Sequence, residues 1–556
     1  MLKRLLLAFA LIAAAPVAAL AQGVSAADPR AAQAGVEILR QGGSAADAAF
    51  ATMVALTVVE PQSSGIGGGG FLVYHDQRRH RLTAFDGRET APHAATPAYF
   101  LGADGRPRGH DEAIPGGLSV GVPGNIRLIE LAHARHGRLA WARLFQPAIR
   151  LARDGFAITP RLYRMLAQPN SLAGFSAWGR GRFYEANGQP RPVGTVIRNP
   201  ELAAFLERLA ARGPEHFYTG AAAQELVRTV HMSERNPSPM TAADLATYQA
   251  HARAPVCGRY RGYRICGMGP PSSGATTVLA ILKQLERFDL RALGPDNPAA
   301  WHLIAESMRL AYADRDAYLG DADFVRVPVA GLTDPAYLAG RSRLIAPDRA
   351  IAHVEAGMPP GAARRAAAPA AAEAGTSHFV AVDRQGNVAS YTSTIESVFG
   401  SGLTVNGMFL NNELTDFNFT PAVDGVPTAN RVEGGKRPRS SMSPTIVYDS
   451  RGRVRIAIGA AGGTTIIAQV AKALIGVIDW DLSAQQAIAL PQIMGLGDRV
   501  TIERGTRLEA MIPALQALGQ HTVIVEPGYK ANAMERVNGR WVGAADPRSE
   551  GTWVAQ

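Results

Sequence analysis

The stretch Ala374-Gly375-Thr376-Ser377-His378-Phe379-Val380-Ala381-Val382-Asp383 decides how this chain folds. From Ser377 the residues alternate as a strand, with His378, Val380 and Val382 on one face and Ser377, Phe379 and Ala381 on the other. Arg384-Gln385-Gly386 reads as a three-residue hairpin loop with glycine at the left-handed position. The return strand is Val388 to Ile395. In that register Asp383 faces Asn387, so Thr376 faces Thr394. Upstream lies an Ala/Pro-rich stretch, Ala356 to Ala374, with little apolar bulk to bury. A threonine that becomes a chain N-terminus can use its own α-amine as base. That amine titrates near pH 7.7–8.0 in model peptides. The spacing fits a self-cleaving precursor with Thr376 as nucleophile, while an ordinary threonine at a strand start is the commoner case for any lone threonine.

Working outward, four further motifs join this one: Asn411-Asn412-Glu413-Leu414-Thr415-Asp416-Phe417, Arg437-Pro438-Arg439-Ser440-Ser441-Met442-Ser443-Pro444-Thr445, Phe85-Asp86-Gly87-Arg88-Glu89 and Gly462-Gly463. Together with Gly375-Thr376-Ser377-His378-Phe379 they resemble the γ-glutamyltransferase (γ-glutamyltranspeptidase) family, from about Ala27 to about Arg548. The resemblance implies an α+β fold, a four-layer αββα sandwich of the N-terminal-nucleophile hydrolase type. It is built from two pieces of one self-cleaved precursor. The pieces would be residues 22–375, helix-rich and ending in the 356–374 segment, and the catalytic 376–556, held together as a heterodimer.

The resemblance also implies roles. Thr376 is the nucleophile and Thr394 orients its hydroxyl. Gly462 and Gly463, after a strand and before a helix, offer backbone N–H groups to an oxyanion. Arg88, Ser440 and Ser441 hold the substrate α-carboxylate, since a guanidinium grips a carboxylate through two parallel hydrogen bonds. Asp416, with Glu413 and Glu396, holds the α-ammonium. The implied activity is γ-glutamyl transfer and glutathione hydrolysis. A γ-glutamyl ester on Thr376 passes to water or to an amino acid or peptide acceptor, with no cofactor and no metal. Four features depart from commoner family patterns: Glu396 in place of Asn, Arg439 in place of Leu, no tyrosine in the loop Asn418 to Gly435, and the stretch Lys530 to Val537. Two other readings remain: an amidase that removes glutaryl-type groups, and a non-catalytic binding protein on the same scaffold.

Length and composition bound the rest. The 556 residues are 47% hydrophobic and 19% charged, ample for a large core and long for one ordinary domain. The net charge of +10 comes mostly from scattered arginines without a basic run, which argues against nucleic acid. Residues 1–21 read as a signal peptide: Lys3 and Arg4, an apolar run, then Ala19-Leu20-Ala21. The run is too short for a stable span, so the enzyme is expected in the periplasm or secreted. Cys257 and Cys266 flank the turn Arg261-Gly262 and are either bridged or free buried thiols.

Local signals place the helices. Asp28-Pro29 opens one, with Asp as N-cap, and Ser44 to Asp47 opens another as a capping box. Gly65 to Gly70 formally fits G-x-G-x-x-G, but the order helix, glycines, strand excludes a dinucleotide site. His133 and His136 lie three apart without a His-Glu-x-x-His motif and are read as surface residues. Ala311 to Arg315 sits inside a long helix with a packing role. From Val122 to about Arg343 the pattern is mostly helical.

Overall fold

The computed structural model describes residues 22–367 and 375–556. The expected export segment, 1–21, and residues 368–374 of the Ala/Pro stretch lie outside the described residues. In chain order the strands of the two main sheets are Gly23–Ala26 (β1), Gly69–Asp76 (β2), Arg81–Gly87 (β3), His251–Arg253 (β4), Val256–Tyr260 (β5), Tyr263–Gly267 (β6), Ser377–Val382 (β7), Val388–Thr394 (β8), Thr445–Tyr448 (β9), Val454–Ala461 (β10), Lys530–Val537 (β11), Arg540–Ala545 (β12) and Thr552–Ala555 (β13). The seven-stranded sheet has the order β13-β1-β7-β8-β2-β3-β4, and the six-stranded sheet β12-β11-β10-β9-β6-β5. Every neighbouring pair in both is antiparallel.

Five helices cover these sheets: Pro29–Arg40 (α1), Ala45–Val59 (α2), Gly274–Leu285 (α3), Pro298–Tyr318 (α4) and Thr465–Ile478 (α5). α1 and α2 pack on the first sheet, through β1, β7 and β8. α3 and α5 pack on the second, through β5 and β10, with α4 against α3. The sheets meet face to face, β7 and β8 against β10. This is the αββα sandwich expected from the sequence.

The alternation of β7 explains the layering. Phe379 and Ala381 enter the core shared with α1 and α2. Val380 and Val382 enter the core between the sheets, with Phe71, Val73, Ile446 and Ile458. A one-residue slip would exchange the two sets. The register found is Val382 opposite Val388 and Ser377 opposite Ser393, which sets Thr376 against Thr394.

Caps follow the sequence signals. Asp28 accepts the Arg30 N–H at the start of α1, and Ser44 and Asp47 form a reciprocal capping box on α2. Arg261 and Gly262, both at positive φ, turn β5 into β6, and Cys257 and Cys266 are opposite each other and bridged. The segment 122–343 is mainly helical, as expected, and also supplies β4, β5 and β6. One expectation needs correction. His133 and His136 are half-buried, not surface groups: His133 bonds the Leu139 carbonyl at 2.8 Å, and His136 stacks on Tyr74 with ring centroids 4.1 Å apart. Their helix packs against β3, so its histidine face points inward. No described helix is long and apolar enough to cross a membrane.

Candidate functional site

Thr376 immediately precedes β7 at the mouth of the hairpin and is 5% exposed. Its hydroxyl donates to Thr394 Oγ1 at 3.0 Å, and that oxygen also accepts the Glu396 N–H at 2.8 Å. The Thr376 N–H donates to the Ser63 carbonyl at 2.9 Å, and the Gly375 N–H donates to the Glu396 carbonyl at 2.6 Å. The Gly375–Thr376 junction is therefore clamped on both sides. Thr376 has φ 100°. A β-branched residue is an outlier there, and such a conformation costs about 1–3 kcal/mol. The strain sits next to the bond expected to break.

The glycine run before β2 brings the backbone close. A Cβ on Gly68 would lie 2.0 Å from the Thr394 carbonyl oxygen, so only glycine lets this turn press against the end of β8. Asn411 ties the same turn to the next motif. Its amide donates to the carbonyls of Gly67 and Gly121, and its Oδ1 accepts the Glu413 N–H at 3.0 Å.

Arg88, Glu413 and Asp416 converge. The buried Arg88 guanidinium pairs with both carboxylates, and Glu89 approaches it at 3.9 Å. Its Nε and Nη2 also donate to the carbonyls of Pro438 and Arg439. Three carboxylates thus surround one guanidinium. Burial pushes Glu413 well above the usual carboxylate range, and the neighbouring carboxylates add to the rise although Arg88 opposes it. Burial likewise carries Glu89 up to about 7, against the pull of Arg88. The cluster is short of positive charge. The sequence reading set Arg88 on a substrate carboxylate; in this structure it rests on the two carboxylates assigned to the ammonium.

Glu396 follows Thr394 at φ 73° and is joined by Asn412 Nδ2 and the Ser397 hydroxyl, which links it to the Asn411–Asp416 motif. Ser440 and Ser441 are buried. The Ser440 hydroxyl accepts the Met442 N–H at 3.1 Å, and Ser441 Oγ accepts Arg315 Nη2 at 2.8 Å. Arg315 Nε reaches Ser273 Oγ at 2.9 Å, and that hydroxyl donates to the Ser440 carbonyl at 2.7 Å. Arg315, read only as packing, thus positions the serine pair. Arg439 donates to the carbonyls of Arg315 and Asp316 and pairs with the Asp316 carboxylate, binding the same loop to α4.

Gly462 and Gly463, at φ 117° and 60°, lie between β10 and α5, just past the last rung, Ala461 opposite Lys530. A side chain is disfavoured at both. His378, two residues from Thr376, lies against Gly459 of β10, where a Cβ would meet its ring at 2.4 Å. This contact brings the start of β7 to the end of β10. Burial drives His378 down to about 3, and its Nδ1 bonds Thr392 Oγ1 at 2.8 Å, so the imidazole is neutral and structural. A cavity of 580 Å³ opens at Gly462, lined in part by Arg161, Val398, Thr464 and Tyr529. Among the described residues no group of three or more His, Cys, Asp or Glu could hold a metal ion.

A clamped threonine immediately ahead of a central strand of an αββα sandwich is the arrangement of an N-terminal-nucleophile hydrolase. The family profile described as Gamma-glutamyltranspeptidase matches residues 31–555. The chain is 36% identical over 544 residues to the glutathione hydrolase proenzyme of Escherichia coli K12, covering 96% of this chain and 91% of that protein. It is 35% identical to the acylase ACY 1 proenzyme of Pseudomonas sp. strain V22, covering 95% and 92%. The cephalosporin acylase structure from Bacillus halodurans superposes with a TM-score of 0.84 at 26% identity, over 96% of each chain. The Helicobacter pylori γ-glutamyltranspeptidase structure matches 60% of this chain and 95% of its own, with a TM-score of 0.57 at 36% identity. The chain belongs to the γ-glutamyltranspeptidase family, and it is an enzyme of that family.

Proposed function

We propose that this enzyme is a self-processing γ-glutamyltransferase and glutathione hydrolase with Thr376 as nucleophile. The observation that carries the reading is the Thr376–Thr394 hydroxyl pair, linked through Glu396 and Asn412 to a buried cluster with more carboxylate than guanidinium. A γ-glutamyl group brings the missing cation as its α-ammonium, and its α-carboxylate suits Arg88 with the Ser440 and Ser441 loop.

In the first step the Thr376 hydroxyl attacks the Gly375 carbonyl. The peptide bond breaks, the acyl group moves to oxygen, and water hydrolyses the ester. This leaves residues 22–375 and 376–556 as two pieces, the second with a free α-amine. In turnover the same hydroxyl attacks the γ-carbonyl of the donor while the amine takes its proton. Gly462 and Gly463 donate backbone N–H groups to the oxyanion. The leaving amine takes the proton, and water or an acceptor amine resolves the ester. Residues 1–21 direct export to the periplasm or beyond, and the Cys257–Cys266 bridge suits an oxidising compartment.

A second reading, removal of glutaryl-type groups, draws support from the likeness to acylases. Such a substrate lacks the ammonium and would leave the acidic cluster without its cation. The test is the purified protein on a denaturing gel with intact mass, then turnover of γ-glutamyl and glutaryl anilides. Two pieces meeting at Gly375–Thr376 and a preference for the γ-glutamyl anilide are expected. A single chain in an active preparation refutes the processing step, and preference for the glutaryl anilide hands the activity to the second reading.

A further inference from the structure

Lys530 opens β11 and is 1% exposed. Its backbone lies opposite Ala461, the residue before Gly462. Its side chain crosses between the sheets. Nζ donates to Glu60 Oε2 at 2.8 Å and to Ser377 Oγ at 3.2 Å, and reaches Ser63 Oγ at 3.5 Å. The Ser377 hydroxyl donates to Glu60 Oε2 at 2.5 Å and accepts from Ser64 Oγ at 3.0 Å. Ser377 follows Thr376 in the chain, and the Ser63 carbonyl holds the Thr376 nitrogen. A buried lysine therefore touches both residues that locate the nitrogen destined to be the base.

We propose that Lys530 is a positioning residue for the nucleophile: its bonds to Ser377 and Ser63 fix the terminal amine of Thr376, and its charge favours the uncharged, proton-accepting form of that amine. The proposal rests on Thr376 being the nucleophile. A terminal amine with its ordinary pKa near 7.7–8.0 is mostly protonated at neutral pH and cannot accept a proton. A cation held on the residues next to that amine disfavours the protonated form. Glu60 tempers this charge and retains it. Burial pulls the Lys530 ammonium down to about 8, with Glu60 opposing the fall. Burial alone would raise Glu60, but Lys530 and Arg161 hold it below the usual carboxylate range. The other charged groups facing the cluster are Arg161, whose Nε lies 3.9 Å from Glu60, and Asp28, itself paired with Arg30.

The test is the acid limb of the pH dependence of kcat/KM, which reports the essential base of the free enzyme. Wild type, Lys530→Gln, Lys530→Arg and Thr376→Ala are compared on a γ-glutamyl anilide. Self-cleavage is read on gels and folding by melting temperature. Lys530→Gln removes the cation and can still bond Ser377, so the limb should rise by about one pH unit. Lys530→Arg keeps a charge that does not titrate, so its limb should stay with wild type. If Lys530→Gln does not fold, Lys530→Met is read in its place. A limb that stays put in the neutral variant, whatever the loss in kcat, overturns the proposal. An active Thr376→Ala overturns it together with the functional reading. An inactive Thr376→Ala with an unmoved limb overturns this proposal alone.

Discussion

Two buried charge clusters flank Thr376, and they are built on opposite plans. Around Lys530 cations are in excess by one: Lys530 and Arg161 against Glu60, with the pair Asp28–Arg30 behind. Around Arg88 carboxylates are in excess: one guanidinium faces Glu413, Asp416 and Glu89. Burying charge is costly unless it is paired. The cost shows in the first cluster as a lowered Lys530 and in the second as raised Glu413 and Glu89. The first cluster braces the backbone at Thr376. Under the proposed function the second receives a ligand cation.

The sharpest way to break the comparison is to remove the residue between the clusters. Thr376→Ala should abolish self-cleavage, leave one chain on a denaturing gel, and lower turnover by roughly 10⁴-fold or more, as loss of a nucleophile does. Next comes the Arg88 cluster. Asp416→Ala should cut kcat/KM for a γ-glutamyl anilide by roughly 10²–10³, because the substrate ammonium loses its partner. A glutaryl anilide should be much less affected. Equal losses on both substrates would mean that the cluster does not read the ammonium.

The third prediction concerns pH. Glu89 titrates near 7 in the folded protein, above its ordinary value of 4.5. Between those values the folded state binds more protons than the unfolded state, so stability falls as pH rises through that window. Glu89→Gln removes this decline. Its melting temperature should gain on wild type from pH 4.5 to 7 and then level off, and a constant difference across that range would refute the assignment. The smallest effect should come from far away. Cys257→Ser/Cys266→Ser opens a short loop at the sheet edge, costs at most about 3 kcal/mol of stability, and should leave kcat/KM unchanged.

These clusters were only partly legible in the sequence. The hairpin was readable because a strand repeats every two residues and a three-residue loop fixes its register, so Thr394 followed from Thr376. The capping box at Ser44 was readable because its partner lies three residues away. Arg88, Glu413, Asp416 and the serine pair came through motif resemblance. Lys530 drew notice only as part of an unusual stretch, and neither its partner Glu60 nor the approach of Glu89 to Arg88 was foreseen. Lys530 and Glu60 are 470 positions apart, and no local rule relates them. Arg315 was read as packing because the seat of Ser441 on its guanidinium exists only once α4 lies beside the 437–445 loop. The histidines at 133 and 136 were misplaced for a similar reason. Spacing told what they were not, but tertiary packing sets their burial.

The strand order of the first sheet has a consequence for the life of the enzyme. β13, β7 and β8 come from the piece after Gly375, whereas β1, β2, β3 and β4 come from the piece before it. β1 is threaded between β13 and β7, two strands of the other piece. Once the junction is cut, the halves are interleaved like fingers of clasped hands. Dilution alone has no seam to open, and parting them means unzipping hydrogen-bonded strands through the middle of the sheet. Under the proposed processing, assembly is therefore a single-use event: one continuous chain folds first and cuts afterwards. An unfolded mature enzyme would have to find its other half from solution before any strand of that sheet could be threaded again.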